Sequence, residues 1–468
     1  FKRRGLRVLP FKPQNMSNNA AITADGGEIG RAQALQARAC GVEPVSDMNP
    51  VLLKPESDKG SQVVVQGQVR KTISAVEYLE YRATLMPSVM ESFLRLKNRA
   101  DLVLVEGAGS ISEINLRVGD ISNMGFATAA DVPVVLVADI DRGGAIASIV
   151  GSWYILPKAE RPLLRGYIMN KFRGDISVLE PALEIIGREC GLTCFGVLQW
   201  FEGAARFPAE DSLALTSGTG SGLVKKGERI IKIYVLGLSR ISNFDDFDPL
   251  EAEDDVKLSY IRPGMAIPGD GDLIIIPGTK STIGDLEFLR AQGWDIDIKA
   301  HLNRGGRALG ICGGYQMLGK EVADPHGVEN PEPRTVPGLG LLDVVTIMEP
   351  RKTLRRFTAH TQHDDEITGY EIHMGSTRGP GTDNPMFFLD GAPEGAFSSD
   401  EHSMGCYIHG LFTSDSYRAR FLSIFRGGEG IGTERQMYES RIETTLDELA
   451  DHIEKYINVG ELAAIAGI

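Results

Sequence analysis

Strand-sized apolar runs recur along this chain, and most end in a polar turn that contains glycine. In the first half they are "LRVLPF" (6–11), "DLVLVEGAGS" (101–110), "VPVVLVADID" (132–141) and "LRGYIMNKF" (164–172). Helical patterns lie over 87–99, between the first two, and over 176–190, after the last. A continuous apolar strand is buried on both faces, and parallel neighbours need a crossover helix. The alternation therefore predicts an α/β fold, with parallel sheets covered by helices in three layers. Ligands of such sheets bind at the carboxyl ends of the strands. Those ends here read "KPQN", "EGAGS", "DIDRGG" and "NKFRGD".

The pattern stops at "TSGTGSGLVKKGE" (216–228), which is rich in Gly, Ser and Thr and lacks periodicity. It restarts with "RIIKIYVLGL" (229–238), "DLIIIPGT" (272–279) and "RALGIC" (307–312). A chain of 468 residues exceeds one ordinary core. The division expected is residues 1–215, a linker at 216–228, a second α/β domain at 229–425 and a C-terminal helical segment at 426–468. In that last segment Leu446, Leu449, Ile453 and Ile457 recur at helical spacing and read as a packing face. A formal net charge of -14 argues against a nucleic-acid partner. No apolar run reaches the roughly 18–20 residues that span a bilayer, and no signal peptide opens the chain. Cys40, Cys190, Cys194, Cys312 and Cys406 are few and scattered, as in a reducing cytoplasm. Cys190 and Cys194 lack zinc-site spacing and read as packing residues.

Cys312 is the exception among them. "RALGICGGYQML" puts it between an apolar strand and an apparent helix, in the pattern Gly310-x-Cys312-x-Gly314. This is a nucleophile elbow with cysteine in place of serine. The tight turn demands small neighbours, and the helix start aims free N–H groups at the sulfur, which favours thiolate. The same N–H groups, Gly313 among them, can stabilise an oxyanion. "GCYIHGLF" (405–412) ends another strand with His409, a candidate base. "IIIPGTKST" (274–282) ends a third with Gly278, a candidate second oxyanion and glutamine-binding donor.

Residues 229–420 resemble a class I glutamine amidotransferase domain, which implies Cys312 as nucleophile and His409 as base. Many members carry a glutamate two residues after the histidine. Here that position is Leu411, as in the branch that amidates corrinoids. The departure points to a Cys–His dyad and leaves the group that orients His409 open. "GYEIHMGST" (369–377) also resembles that branch. Glu371 and His373 there read either as lining the glutamine pocket or a domain interface, or as alternating polar residues of a strand.

"FKPQNMSNNAAITADGGEIGRAQALQARACG" (11–41) resembles the opening of the cobyric acid synthase family, and "LVLVEGAGS" and "MNKFRGD" resemble segments of its P-loop relative dethiobiotin synthetase. The resemblance implies an ATP-dependent synthetase half. Lys12, Asp25 and Asn170 are its nucleotide-side candidates, and Asp25 and Glu106 its Mg²⁺ candidates. It also implies the co-substrate glutamine, a corrinoid substrate, and amidation of four carboxylates of adenosylcobyrinic acid a,c-diamide. No GxxxxGK[ST] loop occurs in the sequence, and the segment expected to hold it would precede Phe1. The rival readings are a cobyrinic acid a,c-diamide synthase and a nucleotide-regulated binding protein with a decayed ATP site. The sequence leaves the oligomeric state open, a homo-oligomer included.

Overall fold

The computed structural model describes residues 1–55, 60–210, 229–329, 332–361, 363, 365–427 and 437–468. The expected linker at 216–228 lies outside them. The chain divides into two compact units.

The first unit comprises Phe1–Met16, Thr23–Phe207 and Arg441–Ile468. Strand Val8–Phe11 runs parallel to Leu102–Val105, with Phe11 opposite Val105. Strands Val134–Asp139 and Thr193–Gln199 flank Leu164–Phe172, all parallel. Phe11, Phe93 and Phe126 form a ring cluster with centroids 5.2–5.5 Å apart. The cluster pins helices Met86–Lys97 and Met124–Ala130 to the first strand, and such aromatic pairs add to the stabilisation from buried area. Cover is incomplete at two positions of these strands. Leu104 and Val137 are 50% and 64% exposed, so these strands are not enclosed along their whole length.

The C-terminal stretch, expected as a segment of its own, joins the first unit from Arg441 onward. Helix Tyr438–Tyr456 carries Glu443, Glu448, Asp451 and Glu454, which pair with Arg38, Arg206, Arg3 and Arg4. His452 Nε2 meets the Gln199 carbonyl at 2.8 Å, and the Asn458 N–H donates to the Phe195 carbonyl at 2.7 Å. Leu446, Leu449 and Ile453 are half-buried and Ile457 is buried, as their spacing predicts. Cys190 closes a helix and donates to the Ile186 carbonyl, while Cys194 lies in the next strand. The two therefore lie in different elements.

The second unit comprises Ser17–Ile22 and Pro208–Ser440. Its sheet runs Val256–Ile261, Ile231–Leu236, Leu273–Ile276, Arg307–Ile311 and Ser403–Cys406, all parallel, with Ala396–Phe397 antiparallel at the edge. The four residues of Leu273–Ile276 are fully buried, as a doubly covered central strand requires. A second sheet is built on a long hairpin, Val345–His360 against Glu366–Arg378. The polar residues at 369–377 thus lie in a strand.

The helix Gly313–Leu318 packs onto strand Leu273–Ile276 only because position 314 lacks a side chain. A Cβ on Gly314 would stand 1.9 Å from the Ile276 carbonyl oxygen. Gly314→Ala is expected to cost about 3 kcal/mol or more, since neither backbone can yield without breaking the sheet. A urea-unfolding midpoint near that of the parent protein would show that the elbow tolerates displacement.

Candidate active site

Cys312 follows strand Arg307–Ile311 and caps helix Gly313–Leu318. Its backbone sits at φ 52°, ψ -109°, a region that L-residues rarely occupy. Such a conformation costs roughly 1–3 kcal/mol and persists only when its surroundings impose it. They do so here: the Cys312 N–H donates to the Cys406 carbonyl at 2.8 Å, and the Gln316 N–H returns to the Cys312 carbonyl at 3.1 Å. The sulfur faces the Ile372 carbonyl at 3.6 Å. The elbow expected from Gly310-x-Cys312-x-Gly314 is therefore present in the backbone.

His409 lies three residues beyond strand Ser403–Cys406 and is 1% exposed. Its Nδ1 meets Asp246 Oδ2 at 2.6 Å, and the other Asp246 oxygen accepts the Gly410 N–H at 2.8 Å. A carboxylate can only accept, so Nδ1 carries the hydrogen. Nε2 then remains to exchange a proton. It makes no hydrogen bond among the described residues. Burial alone would lower the histidine pKa. The Asp246 charge and hydrogen bond, together with the Cys312 side chain, outweigh it and raise the pKa to about 10. Tyr370 stacks on the imidazole at 5.1 Å and fixes the ring plane. Leu411, where other amidotransferases carry an acid, is buried in the core.

The expected dyad is thus supplemented by an acid from another part of the chain. Asp246 sits on the short turn Phe244–Phe247, after strand Ile231–Leu236. Sequence reasoning missed it. The available signal was "NFDDFDPLE", an acidic run beyond a strand's carboxyl end, but nothing local separates Asp246 from Asp245, Asp248 or Glu251.

Gly278 and Gly313 stand at the same corner. A Cβ on Gly278 would lie 3.2 Å from His409 Cε1, and one on Gly313 would lie 2.6 Å from Thr279 Cγ2. A side chain at 313 would force a shift, and one at 278 would press on the imidazole. Gly313, at the first position of its helix, offers an N–H that the helix cannot use.

The opposite wall is polar and buried. Gln316 Nε2 donates to the Met374 carbonyl at 2.8 Å and to the Tyr407 hydroxyl at 3.2 Å. His373 stacks on Tyr407 at 3.7 Å and points Nδ1 at the Gly375 carbonyl at 3.1 Å. Burial holds its pKa down to about 4, so it is neutral at physiological pH. Glu371 is buried and paired with Arg355 at 2.5 Å, and Arg355 is half exposed. Burial, with neighbouring Glu371, pushes Glu394 up to about 7.

In the first unit Lys12 and Glu106 come together at the ends of paired strands, Nζ to Oε1 at 2.7 Å, and Gln36 binds the other Glu106 oxygen at 2.7 Å. Asp25 is committed elsewhere: its carboxylate accepts the Ser46 hydroxyl at 2.6 Å and the Ser46 N–H at 3.2 Å, closing a turn. Asn170 lies near the carboxyl end of strand Leu164–Phe172, opposite Asp139. Its Oδ1 accepts the Lys171 N–H at 2.9 Å, and Lys171 pairs with Asp139 at 2.8 Å. Among the described residues no group of three or more His, Cys, Asp or Glu side chains could cage a metal. Glu106, half exposed and hard in its oxygens, fits an ion held by one carboxylate and by phosphate oxygens. The oxygens of Asp25 are engaged as those of Glu106 are, by Ser46 where Glu106 has Lys12 and Gln36.

Comparison with known proteins covers both units. Residues 1–214 match the CobQ/CobB/MinD/ParA nucleotide binding domain, and residues 232–417 match the CobB/CobQ-like glutamine amidotransferase domain. The cobyric acid synthase of Bradyrhizobium diazoefficiens is 57% identical over 100% of this chain and 94% of its own length. That of Rhodobacter capsulatus is 54% identical over 99% of this chain and 94% of its own. That of Rhizobium rhizogenes is 54% identical over 100% and 95%.

Asp246→Asn tests the orientation of His409. An amide can present its NH₂ to Nδ1 and select the wrong tautomer, so glutamate release from glutamine is expected to fall about 10²–10⁴-fold. The pH dependence follows with a definite sign. The folded pKa of His409 lies above the ordinary histidine value, so its stabilising contribution is complete below about 6.5 and is lost as the pH rises towards about 10. In Asp246→Asn burial dominates and the imidazole deprotonates at lower pH, which an NMR titration of the ring reads directly.

Proposed function

The chain belongs to the cobyric acid synthase family, and on that premise we propose how its own residues carry out the reaction. The enzyme uses ATP and glutamine to amidate four peripheral carboxylates of adenosylcobyrinic acid a,c-diamide, giving adenosylcobyric acid in cobalamin biosynthesis. Full-length likeness to cobyric acid synthases favours this reaction over the a,c-diamide synthase and over a binding protein without activity.

The observation that carries the glutaminase step is the Cys312–His409–Asp246 arrangement. Cys312 Sγ attacks the side-chain amide carbon of glutamine. With its pKa raised to about 10, His409 already holds on Nε2 the proton surrendered by Cys312 when the sulfur attacks; it delivers that proton to the departing nitrogen, so ammonia leaves and a thioester remains. Gly278 and Gly313 N–H groups receive the oxyanion that forms between. Water, deprotonated by the same Nε2, then cleaves the thioester to glutamate. Asp246 keeps Nδ1 protonated throughout and holds the ring. Glu371 and Arg355 present opposite charges on the neighbouring hairpin and suit the α-ammonium and α-carboxylate of glutamine.

In the synthetase half a corrinoid carboxylate takes the γ-phosphoryl group of ATP, giving an acyl phosphate and ADP. Ammonia attacks the carbonyl carbon and phosphate leaves. Phosphorylation is needed because a free carboxylate is a poor electrophile. Lys12 neutralises phosphoryl charge, and Asn170 carries the donor and acceptor that read an adenine edge. Glu106 would hold Mg²⁺, which supplies further charge neutralisation when bound.

Cys312→Ala separates the two halves. Amidation supported by glutamine is expected to vanish, while amidation supported by added ammonium chloride and ATP persists. Glutamate release at the parental rate would remove Cys312 from the mechanism. Loss of ammonium-supported synthesis as well would show that the substitution damages more than the glutaminase site.

A further inference from the structure

Among the described residues of the second unit, buried side-chain polar atoms without a hydrogen-bond partner include several beside the acid that orients His409. Asn19 is 1% exposed, and neither its Oδ1 nor its Nδ2 has a hydrogen-bond partner among the described residues. Asn243 is 3% exposed and its Nδ2 is likewise without one. Burying amide atoms unpaired is costly, and native proteins rarely do so without a use for them.

The two residues lie on segments joined by a hydrogen bond. Asn243 Oδ1 accepts the N–H of Ala20, the residue after Asn19, at 3.3 Å. The main chain of Asn243 is tied to the glutaminase machinery: its carbonyl accepts the Asp246 N–H at 3.2 Å. Its neighbour Ser242 donates to the Gly278 carbonyl at 2.9 Å. The backbone that carries Asn243 therefore adjoins both the orienting acid and the oxyanion corner, and Asn19 is joined to it through Ala20. Asn243 adopts a left-handed backbone at φ 51°, which asparagine tolerates better than other side-chain-bearing residues.

We propose that Asn19 and Asn243 form a holding site for the neutral ammonia released at Cys312. Ammonia has donors and one acceptor lone pair. Asn19 Oδ1 can receive an N–H, and Asn243 Nδ2 can donate to the lone pair, so the two free functions are complementary to it. Asp246 does not compete for the molecule as a charge, because its two oxygens are engaged by His409 and Gly410. A site built from amides holds ammonia without protonating it, and only the unprotonated form can attack an activated carboxylate. Glutamine itself is a poor occupant, since both of its α-charges would be left without counter-charges by these amides. The proposal rests on the glutaminase reading given above.

The test uses the full chain with ATP, corrinoid and glutamine, and compares amide formed with glutamate released. Asn19→Leu removes both amide atoms at similar volume. Asn243→Asp keeps Oδ1 and the left-handed preference but removes the donor. Each is expected to release glutamate within about twofold of the parent while amide per glutamate falls at least about fivefold. The missing ammonia should appear as ammonium in the medium, and synthesis from ammonium chloride should be retained. An unchanged ratio in both variants would mean that the amides hold water only and would overturn the proposal. Glutamate release falling in step with amide formation in both would overturn it too, by reducing the pair to a support for Asp246. Failure of the underlying reading is separately visible, because Cys312→Ala would then go on releasing glutamate.

Discussion

A single buried hydrogen bond, His409 Nδ1 to Asp246 at 2.6 Å, governs the chemistry of the second unit. Both side chains are almost completely withdrawn from water. An imidazole buried alone would be driven towards neutrality and could turn in its pocket. The carboxylate reverses the first tendency and prevents the second. It also spans a long stretch of sequence, tying the turn after the second strand of the sheet to the loop after the fifth. Tyr370 and the Gly410 N–H reinforce the same geometry from the hairpin and the loop.

The strained elbow at Cys312 is the second constraint, and the sheet sustains it. Its donor bond runs to Cys406 at the end of the neighbouring parallel strand, so the positions of Cys312 and of the loop bearing His409 are set by one register. Gly314 lets the following helix press onto the Ile276 carbonyl. The nucleophile and its base are thus held by backbone packing, which moves far less than side chains. The polar wall opposite, from Gln316 through Tyr407 to Thr377, closes the site with satisfied hydrogen bonds.

The first unit shows a different economy of design. Its aromatic cluster and parallel strands follow from apolar runs, but its C-terminal helix is joined mostly by exposed ion pairs. Such pairs are individually worth about 0–1 kcal/mol. The half-buried leucines along the helix, together with the bonds of His452 and Asn458 to the strand Thr193–Gln199, supply the more durable part of the attachment.

Much of this was legible residue by residue. Strand Leu164–Phe172 has the limits its apolar run predicts, and the elbow is readable because a strained turn tolerates only small neighbours. Gly278 and His409 are legible as strand-end residues, and the structure brings them to the same corner. The hairpin was legible only in part, since polar residues at 369–377 carry no signal for a partner strand.

Cys312 in its glycine frame, the parallel architecture and the family likeness were determined by the sequence alone, because each is encoded in neighbouring residues. Which acid serves His409 was decided only by the tertiary structure. Asp246 is distant in sequence and sits among equivalent acids, and only the folded sheet selects the one within 2.6 Å. The choice also sharpens the view of Leu411: the local acid is dispensable there because the fold delivers another.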